Sequence, residues 1–147
     1  MPATLIPKLR SPYDTVGGIV HFGRMLDKIR LHAAGELPPG WAEAMGVSGG
    51  FDFRCCHFLG VDYADLKAEV SKGGSDEDLL AWALARGRQP DEEDITVWNG
   101  FMMKLGWRDP VATRVKFRLN ESGFPEDAVE TMFDFIEFDE GRSPRNA

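Results

Sequence analysis

Val16–Ala34 reads VGGIVHFGRMLDKIRLHAA, and this stretch decides the fold. On a helical wheel Ile19, Phe22, Leu26, Ile29 and Ala33 share one face, with Met25 at its edge. That is the apolar stripe of a helix packed on a core. His21, Arg24, Lys28 and His32 form a second stripe about 100–120° round from the first. The apolar stripe explains folding. The basic stripe asks for more, and it is the first place to look for function. Gly35 closes the helix.

Working outward, Leu37–Gly50 reads as a loop broken by Pro38-Pro39-Gly40 and Gly49-Gly50, with a single turn at Trp41–Met45. Asp52 is the expected cap of a short helix, Phe53–Leu59, and Asp62 of the next. Ser75 precedes Asp76, Glu77 and Asp78, an N-cap followed by acids in the first turn. Pro90 with Asp91–Asp94 opens a helix whose Ile95, Trp98, Met102 and Leu105 recur at core spacing. Asp109-Pro110 opens another, and Pro125 with Glu126 and Asp127 the last. No strand alternation stands out. The expected fold is all-α: a single compact domain of about six helices with long loops over 16–140, an extended arm over 1–15 and a flexible tail over 141–147.

The chain has 147 residues, 43% hydrophobic and 28% charged. That size and balance suit one globular domain without disulfides or metal. No apolar run approaches the ~20 residues of a membrane span. The N-terminus, with three prolines in its first twelve residues, lacks a signal-peptide core. The expectation is a cytoplasmic protein with no membrane partner. The net charge of −7 argues against broad nucleic-acid binding. Charge is uneven, however. Residues 1–35 hold five Lys and Arg against Asp14 and Asp27, +3, which leaves −10 for the rest. Either the basic helix docks on acidic helices of its own chain, or it draws in a small anion.

The anion reading places Gly17 and Gly18 at the first helical turn, where backbone N–H groups face a ligand. Arg24 and Lys28, one turn apart, would hold a carboxylate or phosphate, and His21 would carry a proton. Asp27 reaches Arg24 at helical spacing, a structural competitor for the same guanidinium. Arg54-Cys55-Cys56-His57 is the second cluster. Cys55, Cys56 and His57, with His21, are the weaker candidates for catalysis, since a thiolate needs a cationic setting. No C-x-x-C or hydrolase signature accompanies them. His21 and His32 lie eleven residues apart, ~16 Å along a helix, and cannot share an ion. Neither metal nor cofactor is expected. Trp107-Arg108 follows a helix stop and would stack on itself or frame a pocket mouth.

Several of these runs together resemble a family of uncharacterised bacterial domains of unknown function. The resemblance rests on Arg10-Ser11-Pro12, Gly17-Gly18, Arg24–Lys28 with Arg30, Leu31–Gly35, Arg54-Cys55-Cys56 and Phe58-Leu59-Gly60 ahead of Asp62. It extends through Val97–Phe101 and Gly106–Asp109. It implies a small, mainly helical domain and assigns no reaction, cofactor or catalytic residue. Three functions follow from the residues. The first is binding of a small anionic metabolite at Gly17, Gly18, His21, Arg24, Asp27 and Lys28. The second is a protein-interaction or homo-oligomerisation module, and the third a metal or thiol protein on Cys55, Cys56 and His57.

Overall fold

The computed structural model describes residues 5–143. Among them are seven α-helices and one two-stranded hairpin, so the chain is mainly α-helical. It divides into two compact units, Lys8–Trp98 and a second formed by residues 99–143 with 5–7.

The larger unit starts with a correction to the reading of Val16–Ala34. Thr15–Val16 (β1) and Ile19–Val20 (β2) form an antiparallel hairpin, with Thr15 opposite Val20 and Val16 opposite Ile19. The helix, α1, covers only Phe22–Ala33. The cause is Gly17-Gly18. Both take positive φ, +59° and +81°, the conformation of a tight two-residue hairpin turn. Two glycines thus close a turn between strands instead of opening a helix. His21, also at positive φ, bends the chain into α1, and its N–H donates to the Pro12 carbonyl.

α1 is the axis of this unit, with β1, α2 (Phe51–Leu59) and α3 (Tyr63–Ser71) packed on it. Phe22, Met25, Leu26 and Ile29 are sealed in the core. With neighbours on several sides, Arg24 and Asp27 are buried as well. That burial converts a helical wheel's polar face into an internal charge problem. α3 is capped by Asp62, which accepts the Ala64 and Asp65 N–H groups. α4 (Asp76–Arg86) starts with a reciprocal capping box between Ser75 and Asp78. Both caps were expected. Trp98, on α5 (Glu92–Lys104), stacks on Phe58 at 4.8 Å, and its indole N–H donates to the Val20 carbonyl.

In the second unit the Met132 N–H donates to the Leu105 carbonyl, and α6 (Ala112–Glu121) packs on α7 (Met132–Asp139). The last helix was expected from Pro125. It begins at Met132 instead, because Thr131 is extended and its hydroxyl accepts the Asp134 N–H, while Pro125–Ala128 only closes a turn. Buried Glu137 and Glu140 both pair with Arg142, inside the stretch expected to fray. The remainder of that tail, 144–147, and positions 1–4 of the arm lie outside the described residues. No helix is long and apolar enough to cross a membrane among the described residues.

Candidate functional site

Asp52 organises the chemistry of the larger unit. Expected as a helix cap, it instead lies inside the first turn of α2, whose N-cap is Gly50. Its carboxylate is buried against α1. The His21 Nε2–H donates to Oδ1 at 2.8 Å, and the Lys28 ammonium lies 2.8 and 2.9 Å from the two oxygens. The Gly46 N–H reaches Oδ2 at 3.3 Å. A carboxylate accepts only, so His21 carries its proton on Nε2 in the neutral form. Burial lowers the His21 pKa from 6.5, outweighing the pull of Asp52. Burial also works to raise the Asp52 pKa, but the His21 hydrogen bond and the Lys28 charge hold it well below the carboxylate range.

A strap formed by residues 35–50 lies against this cluster. Trp41 stands beside the Arg24 guanidinium, 5.8 Å from ring centroid to Cζ. Arg24 also donates to the Arg10 carbonyl at 3.0 Å. Gly46 closes the strap against Tyr63, whose ring lies where a side chain at Gly46 would stand. The Tyr63 hydroxyl is buried and makes no hydrogen bond among the described residues. Burial raises its pKa, and the charge of Asp52 adds to this. A buried phenol donor without an acceptor, near the Asp52 carboxylate, calls for an explanation.

The remaining α1 charges enter a second network. Arg10 donates through Nε and Nη2 to the two oxygens of Asp27, and through Nη1 to Asp76 at 2.8 Å. Arg30 reaches Asp76 at 2.8 Å and Asp27 at 3.7 Å. The helical-spacing partner expected for Asp27, Arg24, turns instead to the Arg10 carbonyl, because Arg10 from the N-terminal arm brings a planar fork to the carboxylate. Gly23 makes room for that arm: a Cβ there would lie 2.9 Å from the Arg10 Cζ. These hydrogen bonds hold the Asp76 pKa down. The arm, α1 and α4 are thereby tied by two arginines and two aspartates. Thus basic α1 docks on acids of its own chain through Asp52 and Asp76. Past this network a surface cavity of about 250 Å³ is lined by Lys8, Asp27, Arg30, Leu31, Ala34 and Glu36.

The other predicted residues fall as follows. Gly17 and Gly18 are at the hairpin turn, Gly17 against Leu80 of α4, and not at the start of α1. His32 is exposed. Cys55 and Cys56 are buried, Cys56 with its Sγ 3.8 Å from the Met25 sulfur. Burial pushes the Cys56 thiol up to about 12 and Cys55 well above its usual value, the opposite of an activated thiolate. His57 is exposed and stacks on Phe53. Among the described residues no three His, Cys, Asp or Glu side chains are placed to share a metal ion. Arg108 stacks over Trp107 at 5.0 Å, so these two pack on each other. Asp52 and Tyr63 are the residues sequence reasoning missed. Asp52 sat where a cap belongs, and Tyr63 had no motif around it.

Fold and cluster together define a small, mainly helical domain built around buried, internally paired charge. The chain belongs to the DUF5069 family, a domain of unknown function, which residues 6–142 match. No curated protein matches it.

Proposed function

We propose that this domain binds a small anionic molecule, a carboxylate or phosphate compound, beneath the 35–50 strap. Arg24, Lys28 and the Tyr63 hydroxyl supply the donors. The reading keeps Arg24 and Lys28 from the basic stripe. It gives His21 and Asp52 the task of positioning Lys28, and it leaves Gly17 and Gly18 to the hairpin. The observation that carries it is the buried Tyr63 hydroxyl, which makes no hydrogen bond among the described residues. A ligand oxygen would accept from it, and a hydrogen bond to a charged group contributes about 1.5–3 kcal/mol. Entry requires the strap to lift, which its Pro- and Gly-rich composition permits.

The test is thermal unfolding of wild type, Arg24→Ala and Tyr63→Phe against inorganic phosphate, a phosphate monoester and a dicarboxylate. A compound at 100 times its dissociation constant stabilises wild type by about 2.7 kcal/mol, several degrees of melting temperature. The reading expects that shift in wild type, its loss in Arg24→Ala and its reduction by about half or more in Tyr63→Phe. A shift equally large in the variants, or none in wild type with any probe, contradicts it. Lys28→Ala is the poorer variant, because it strands the Asp52 carboxylate.

A further inference from the structure

The outward face of α5 points to a second site of a different kind. Glu93, Val97, Gly100 and Lys104 recur at helical spacing about 120° round from buried Trp98, Met102 and Leu105, with Phe101 at the flank between the two stripes. Val97 is 63% and Phe101 45% exposed, unusual for the middle of a charged surface helix. Gly100 sits between them in the helix interior. A Cβ there would meet nothing within 4 Å, so packing within the chain does not demand a glycine. Glycine is unfavourable inside a helix, and its benefit is close approach of another backbone. Among the described residues neither Glu93 nor Lys104 has an ion-pair partner. Asp94, by contrast, is used to cap the helix with Asp91.

We infer that this face is a homodimer interface in which α5 packs antiparallel on α5 of a second copy across a two-fold axis. The arrangement is self-complementary, as such an axis requires. The stripe is acidic at its start, apolar in its middle and basic at its end. Reversal lays acid on base at both ends and apolar on apolar between. One register satisfies all of it. The midpoint between Glu93 and Lys104 is also the midpoint between Val97 and Gly100, at the bond joining Trp98 to Asn99. A two-fold axis there sets Glu93 against the partner's Lys104, about 16 Å from the reciprocal pair measured along the helix. It also seats Val97 over the partner's Gly100, with Phe101 flanking. All five positions belong to one helix.

Sedimentation velocity on the full chain, from micromolar to millimolar concentration, tests this. Wild type is expected to dimerise with rising concentration. Glu93→Lys and Lys104→Glu each set like charges opposite one another and should weaken the dimer at least tenfold. The double variant restores opposite charges and should recover wild-type association. Far-ultraviolet circular dichroism of each variant verifies that α5 remains folded. Recovery in the double variant is the result a purely local effect on helix stability does not give, since both helix-end penalties persist there. A wild type that stays monomeric, or a dimer indifferent to both single substitutions, overturns the interface. A double variant no better than either single one overturns the antiparallel register.

Discussion

Asp52 is the residue on which the larger unit depends most. It neutralises Lys28, fixes the tautomer of His21 and accepts a strap N–H. Asp52→Ala leaves those groups without their carboxylate, and breaking one side of a buried pair costs about 3–5 kcal/mol. A drop of about 10 °C in melting temperature is expected. The same residues set the pH response. Neutral His21 binds fewer protons folded than unfolded, because burial lowers its pKa from 6.5. Stability should therefore begin to fall as pH drops below about 6.5. Asp52 and Asp76, both held below their ordinary 3.8, contribute stability present above that value and lost as pH falls past it. On the basic side, Cys56 keeps its proton to about 12 when folded but only to about 9 when unfolded. Stability should decline again above pH 9. Melting curves from pH 3 to pH 11 should trace that dome, and replacing His21 by Asn should remove its first acid shoulder. A flat profile between pH 7 and pH 5 would contradict the neutral, buried imidazole.

At the scale of elements, two glycines separate backbone need from open space. At Gly87 a Cβ would lie 2.2 Å from the Leu59 carbonyl oxygen and 2.7 Å from that of Gly60, both backbone atoms with little freedom to yield. Gly87→Ala should cost about 2 kcal/mol or more, in the range of overpacking. Gly100→Ala should stabilise the fold by up to about 1 kcal/mol, since its helix has room for a methyl. Urea denaturation of both variants checks the opposite signs. The caps at Asp62 and Ser75 were legible because a cap is a local bargain among neighbours in sequence. The hairpin was harder to see. Residues 15–20 are too few to show alternation, and the apolar pattern continues into α1. Thr131 was hidden by the stronger start signal of Pro125-Glu126-Asp127. Asp52 was misread for a deeper reason: its partners, His21 and Lys28, lie 31 and 24 residues away. No local pattern distinguishes a cap from a buried counter-ion.

For the molecule as a whole, the uneven charge seen in sequence has a structural account. The surplus of the first 35 residues meets Asp52 and Asp76 within the same unit. Basic α1 is therefore a docking element first, and the proposed anion site rests on the Tyr63 hydroxyl. That makes Tyr63→Phe the most informative single change. It removes a buried hydroxyl with no partner among the described residues, so the fold should keep or slightly raise its melting temperature. If Tyr63 donates to a bound anion, the same change should weaken binding about tenfold or more. Isothermal titration of wild type and Tyr63→Phe with inorganic phosphate, and with whichever compound shifts the melt most, puts the two effects side by side. The account predicts one site per chain in wild type and weaker binding in a variant at least as stable. Equal affinity in the two proteins, or no binding to wild type, would contradict it.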